Sequence, residues 1–115
     1  MSRKHHSDIA RRQTGAAVFA ALGDETRLSL VTKLSAGQPY SRAKLTEGSK
    51  LSRQAITKHL RVLEGVGIVR SVRTGRESHF VLDPEPIEDA KEYLDSVSEQ
   101  WDQALTRLKT FVEDQ

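Results

Sequence analysis

Leu51-Ser52-Arg53-Gln54-Ala55-Ile56-Thr57-Lys58-His59-Leu60-Arg61-Val62-Leu63-Glu64-Gly65 is the segment around which the rest of the chain is organised. Set on a helix at about 100° per residue with Arg53 at zero, Arg53, Gln54, Thr57, Lys58 and Arg61 fill an arc from roughly 0° to 140°. Ala55, Ile56, His59, Leu60, Val62 and Leu63 fill roughly 180° to 340° of the same wheel. Such a helix buries one face and offers the other, basic and bearing amide and hydroxyl groups, to a partner. Ser52 is placed to cap the first turn, Leu51 to pack on Ile56 as a hydrophobic staple, and Gly65 to supply a left-handed stop. Alone, the pattern also fits a surface helix whose cations are merely solvated, so its meaning depends on the flanking chain.

Immediately upstream, Ser41-Arg42-Ala43-Lys44-Leu45-Thr46-Glu47 predicts a short helix, and Gly48-Ser49-Lys50 turns the chain into Ser52. Two helices joined by three or four residues including Gly, the second with a basic face, make a helix-turn-helix. Further back, Asp24 caps a helix with Glu25 in its first turn, and Leu28, Val31 and Leu34 give it a core stripe, helped by Leu30. Lys33, Gly37 and Pro39 mark its end. Before Gly23, residues 14–22 predict a short apolar helix that buries Phe19 and Leu22, and residues 1–13 read as a flexible basic arm. His5 and His6 in that arm are not read as a metal site.

Downstream, residues 68–82 predict a β-hairpin. Ile68, Phe80 and Leu82 are its expected core contributors, and Arg73, Thr74 and Arg76 sit at its tip. Pro86 suits the first turn of a last helix, residues 84–115. There Ile87, Ala90, Leu94, Val97, Trp101, Ala104, Leu108 and Phe111 recur at alternating three- and four-residue spacing, a heptad seam with Leu105 beside it. A helix of about 40 Å is longer than so small a domain covers, so the seam calls for a second subunit.

The chain has 115 residues, enough for one compact domain with a single small core. Lys and Arg exceed Asp and Glu by six to three in residues 1–40 and by nine to two in residues 41–76. Residues 77–115 reverse this, three to eleven, so +3, +7 and −8 sum to the net +2. A basic middle suits a polyanion, and the acidic end should face away from it. No run of 18 apolar residues occurs and no hydrophobic stretch follows the N-terminus, so a cytoplasmic protein is expected. The absence of Cys excludes disulfides, thiolate metal sites and cysteine nucleophiles. No Gly-rich phosphate loop, nucleophile–base pair or inward carboxylate pair is present, so neither an enzyme nor a cofactor is expected. The Glu88, Glu92, Asp95, Glu99 and Asp102 stripe reads as solvent-facing, and His59 as a buried histidine bonded to backbone; no metal site is expected.

The order of these features resembles the ArsR-type winged helix-turn-helix repressors. Three signatures carry the resemblance: Phe19-Ala20-Ala21-Leu22-Gly23-Asp24-Glu25-Thr26-Arg27-Leu28; Ser52 through Val69, containing Thr57-Lys58-His59-Leu60; and Thr74-Gly75-Arg76 before His79-Phe80-Val81-Leu82. The resemblance implies a mainly α fold with a small β-hairpin (α+β): a winged helix-turn-helix over residues 14–83 with a long C-terminal dimerisation helix over 84–115. It implies a homodimeric repressor on an inverted repeat of double-stranded DNA, with Arg53, Gln54, Thr57 and Lys58 reading bases and Ser52, Arg61, Arg73, Thr74 and Arg76 on phosphates. Phe19, Leu22, Ile87, Leu94, Val97, Trp101, Leu105, Leu108 and Phe111 are then the expected dimer interface. The cysteines and terminal-helix histidines with which well-known relatives sense metals are absent, and no pattern identifies an effector. The alternative is a protein-interaction module on the same scaffold, which the basic face of the 52–64 helix argues against.

Overall fold

The computed structural model describes residues 8–114. In chain order it contains α1 (Asp8–Leu22), α2 (Glu25–Leu34), β1 (Tyr40–Ser41), α3 (Arg42–Thr46), α4 (Arg53–Gly65), β2 (Val69–Thr74), β3 (Glu77–Leu82) and α5 (Glu85–Glu113). The chain is mostly helical with one small sheet, as the sequence predicts. α1 begins earlier than expected: residues 8–13, assigned from sequence to the basic arm, are helical, and the rest of that arm lies outside the described residues.

Local chemistry accounts for most of the boundaries. The Asp24 carboxylate accepts from the Arg27 N–H at 3.0 Å, and the hydroxyls of Ser41 and Ser52 accept from Lys44 and Ala55 N–H at 3.1 Å each, so α2, α3 and α4 all start on a side-chain cap. The stop of α4 lies two residues later than predicted. Gly65 is still helical, and Gly67, at φ +79°, takes the left-handed position. Ile68 N–H then bonds the Leu63 carbonyl and Gly67 N–H the Glu64 carbonyl, both at 3.0 Å, while Leu63 and Ile68 are both buried. This is a Schellman stop, whose apolar contact selects Gly67 over Gly65.

The connection between α3 and α4 runs over residues 47–52, longer than the predicted three or four, with Gly48 at φ +75° turning it. A strand absent from the sequence reading precedes it. β1 pairs antiparallel with β3, Tyr40 opposite Phe80 and Ser41 opposite His79, making a sheet of order β1-β3-β2. Arg42 lies over the Phe80 ring at 5.6 Å and joins α3 to this sheet. The hairpin register, Val69 opposite Leu82 through Thr74 opposite Glu77, leaves Gly75 and Arg76 as a two-residue tip, with Gly75 at φ +63°.

One core holds these parts together: Val18 and Ala21 of α1, Leu30 and Leu34 of α2, Leu45, Ile56, Leu60, Leu63, Ile68, Val69, Phe80 and Ala90. Leu28, expected in the core, is half exposed. On the wheel Leu30, Val31 and Leu34 span about 200–300° from Leu28, which therefore falls outside the buried arc. α5 lays its first turns on α1, with the Tyr93 ring beside Gly15, and then runs past the domain. Its 29 residues span about 43 Å. The radius of gyration is accordingly 18.5 Å, against about 13 Å for a compact chain of this length. No helix among the described residues is long and apolar enough to cross a membrane.

Candidate nucleic-acid interface

α4 is fixed from behind and bare in front. Ile56, Leu60 and Leu63 are at most 1% exposed, and Leu51 packs against the same core, as a staple would. Arg53, Gln54, Lys58 and Arg61 are exposed and Thr57 half-buried. Among the described residues, none of the three basic side chains is in an ion pair, and the Gln54 amide has no hydrogen-bond partner. The Thr57 hydroxyl donates to the Arg53 carbonyl at 2.8 Å, which leaves its methyl group and oxygen lone pairs for a ligand. Ser52 spends its oxygen lone pair on the cap and keeps its hydroxyl proton for an outside acceptor.

That set of groups suits duplex DNA. An amide matches the donor and acceptor of adenine, a guanidinium the two acceptors of guanine, and a threonine methyl the methyl of thymine. Uncommitted cations matter because each phosphate they neutralise releases a counterion.

The wing is anchored near the end of the same helix. The Ser71 hydroxyl donates to Glu64 Oε2 at 2.8 Å, and the hairpin reaches its Gly75–Arg76 tip about 13 Å beyond Ser71. Past Val69 every residue of β2 is exposed. Arg73 Nε donates to the Gly75 carbonyl at 3.3 Å, bracing the tip, while Arg70 and Arg76 join no ion pair among the described residues. The exposed basic groups thus lie on the hairpin as expected, but Arg73 is partly occupied by the turn itself.

The expected interface residues divide in two. Phe19, Leu22 and Ile87 are partly buried against their own core, and Val97 is half-buried. Leu94 is 43% exposed, and Trp101, Leu105, Leu108, Phe111 and Val112 are each more than half exposed. From Leu94 onward, apart from half-buried Val97, one apolar stripe of α5 is left uncovered by the described residues.

His59 and His79 are each partnered by side chains. His59 is half-buried, as its place on the apolar arc suggests, but it meets Arg27 rather than backbone: Nδ1 lies 3.2 Å from Arg27 Nη1 and 3.8 Å from Asp24 Oδ2. The Arg27 backbone hydrogen bond, with the Arg27 charge nearby, holds the Asp24 carboxyl below the usual carboxylate range. His79 Nε2 lies 3.0 Å from Glu77 Oε2. Arg27 and Tyr93 are the residues the sequence reading missed. Arg27 carries a charge at about 260° from Leu28, inside the apolar arc of α2, and that position was a legible signal. Tyr93 lies off the strict heptad positions.

The chain matches the model of a helix-turn-helix domain over residues 22–72. It is 37% identical over 79 residues to the uncharacterized HTH-type transcriptional regulator YuzN of Bacillus subtilis (strain 168), an alignment spanning 64% of this chain and 86% of YuzN. Among solved structures, an ArsR-like transcriptional regulator from Rhodococcus sp. RHA1 is 35% identical, with a TM-score of 0.74 over 87% of this chain and 93% of the other. An ArsR family transcriptional regulator of known structure is 26% identical, with a TM-score of 0.71 over 79% of this chain and 93% of the other.

Proposed function

This chain belongs to the ArsR family of winged helix-turn-helix, DNA-binding transcriptional regulators, and on that premise we propose that it works as a cytoplasmic homodimeric repressor of an inverted-repeat operator. The observation that carries the reading is the contrast on α4, whose back is locked into the core while its polar face is uncommitted. Arg53, Gln54, Thr57 and Lys58 meet base edges in the major groove. Ser52, Arg61, Arg73, Thr74 and Arg76 hold the flanking phosphates, which fix register and orientation without reading sequence.

Residues 84–115 serve as the dimerisation helix. The bare stripe of α5 fits a second copy of itself, because a two-fold axis lays the same patch against the same patch. Such a pair sets its two α4 helices about 34 Å apart, one turn of duplex, so that each reads a half-site. The acidic outer side of α5 then faces away from DNA. The work proposed is binding and occlusion of a promoter, not catalysis. A protein-interaction module without DNA binding is not favoured, since a basic face with no partner of its own has no use there.

Electrophoretic retardation with the protein's own upstream region and with random duplex, both at physiological salt, tests this. The operator is expected to bind at least about 10³-fold more tightly. Equal binding of the two sequences overturns the reading.

A further inference from the structure

Arg27 joins three helices. Its backbone N–H completes the Asp24 cap of α2. Its Nε donates to the Ala21 carbonyl at 2.5 Å and its Nη2 to the Ala20 carbonyl at 3.5 Å. Those carbonyls lie in the last turn of α1, past the helix's own donors, and the Ala20 carbonyl also accepts from the Gly23 N–H at 3.3 Å. Its remaining arm, Nη1, lies 3.2 Å from His59 Nδ1, in the middle of α4. A guanidinium has only donors, so Nδ1 accepts and the neutral imidazole carries its proton on Nε2.

We propose that Arg27 is a positioning residue for α4, tying the reading helix to the end of α1, and that it holds only while His59 is neutral. The proposal rests on the reading of α4 as the helix that enters the major groove. A proton on Nδ1 turns the acceptor into a donor and sets two cations 3.2 Å apart. The ring must then leave Arg27, and the nearest anion it can turn to is Asp24, whose Oδ2 is 3.8 Å away.

Little else acts on the ring. Its neighbours one turn away on α4, Ala55, Ile56, Val62 and Leu63, are uncharged. Among the described residues, Asp24 is the one carboxylate within ion-pair distance of His59. A small displacement of α4 misplaces base contacts, which need close geometry, while attraction to phosphates tolerates it and gains from an added positive charge. The signature is lost discrimination with retained affinity for random duplex.

The test has two arms. Long-range nitrogen–proton NMR of the imidazoles at pH 8 is expected to show His59 as the Nε2–H tautomer, with the Ala20, Ala21 and Arg27 amides shifting if a proton is added to that ring. In the second arm the ratio of operator to random-duplex affinity is followed from pH 7.5 to pH 5.5. The wild-type ratio is expected to fall about tenfold, the worth of one well-placed hydrogen bond. His59→Asn, which keeps an acceptor close to the Nδ1 position but does not titrate, is expected to hold its ratio within about twofold. An Nδ1–H tautomer, or parallel profiles for wild type and His59→Asn, overturns the proposal. Absence of operator preference at every pH overturns the DNA reading instead, and the NMR arm then decides whether the Arg27 tie exists.

Discussion

α4 and the far half of α5 are both amphipathic helices with one face open to water, yet the open faces are opposite in kind. On α4 the apolar side is covered and the polar side is bare. On α5 beyond Leu94 the apolar side is bare, and polar residues fill the rest of the circumference. A polar face can stay in water at no cost, so the bareness of α4 says only that its cations are free to meet an anion. A stripe with Trp101, Leu105, Leu108 and Phe111 in water is unfavourable by about 25 cal/mol for each Å² left uncovered, so that of α5 calls for a partner. The two regions differ accordingly in what a substitution should damage.

The largest expected effect is in the covered side of α4. Leu60→Ala should lower the unfolding free energy by about 2–5 kcal/mol, read from urea denaturation, because it opens a cavity in the core. Leu105→Ala, of identical chemistry on the bare stripe, should change the unfolding of dilute, separated chains by less than about 0.5 kcal/mol. It should instead raise the protein concentration at which sedimentation shows pairing. Equal losses of fold stability from the two truncations would erase the distinction between the helices.

Next comes the open face of α4. Gln54→Ala or Thr57→Ala should reduce discrimination against the wrong base pair by about 1–3 kcal/mol each, with unfolding unchanged. The measurement is a competition between operator and single-base variants at fixed salt. A loss spread evenly over all variants would move these two residues from base reading to phosphate contact.

The same contrast explains what was legible in the sequence. Faces and caps depend on residues three or four apart, so the α4 wheel, the Ser52 and Asp24 caps, Pro86 in the first turn of α5 and the apolar stripe of α5 could all be seen. β1 could not, because its two residues have no pattern of their own and are strand only by pairing with Phe80 and His79, some 40 positions away. The stop at Gly67 was half legible. Gly65-Val66-Gly67 offers two candidates, and the Leu63–Ile68 contact that chooses between them is a local signal. The partner of His59 needed the packing of α2 on α4, although a charged residue within the apolar arc of α2 pointed to some buried acceptor.

Smaller effects are expected at the wing. Arg76→Ala should weaken operator and random duplex alike and lower the slope of log affinity against log salt by about one, the expected loss for one proposed phosphate contact. Binding isotherms at several salt concentrations read this directly. A selective loss for the operator would give the wing tip a reading role and narrow the difference between it and α4.

The smallest effect belongs to the cap behind α4 and appears only in acid. Asp24 titrates lower in the folded chain than in the unfolded one, so its charge favours the fold at any pH above the ordinary Asp value of about 3.9, and that contribution disappears as pH falls through the folded value. Asp24→Asn keeps an acceptor for the Arg27 N–H but never carries the charge. Wild type should therefore be modestly the more stable at pH 7, and the two urea midpoints should converge as pH falls through the folded-state value. A gap that widens in acid would mean that Asp24 binds its proton more tightly when folded, and the tether behind the reading helix would then not rest on a carboxylate at neutral pH.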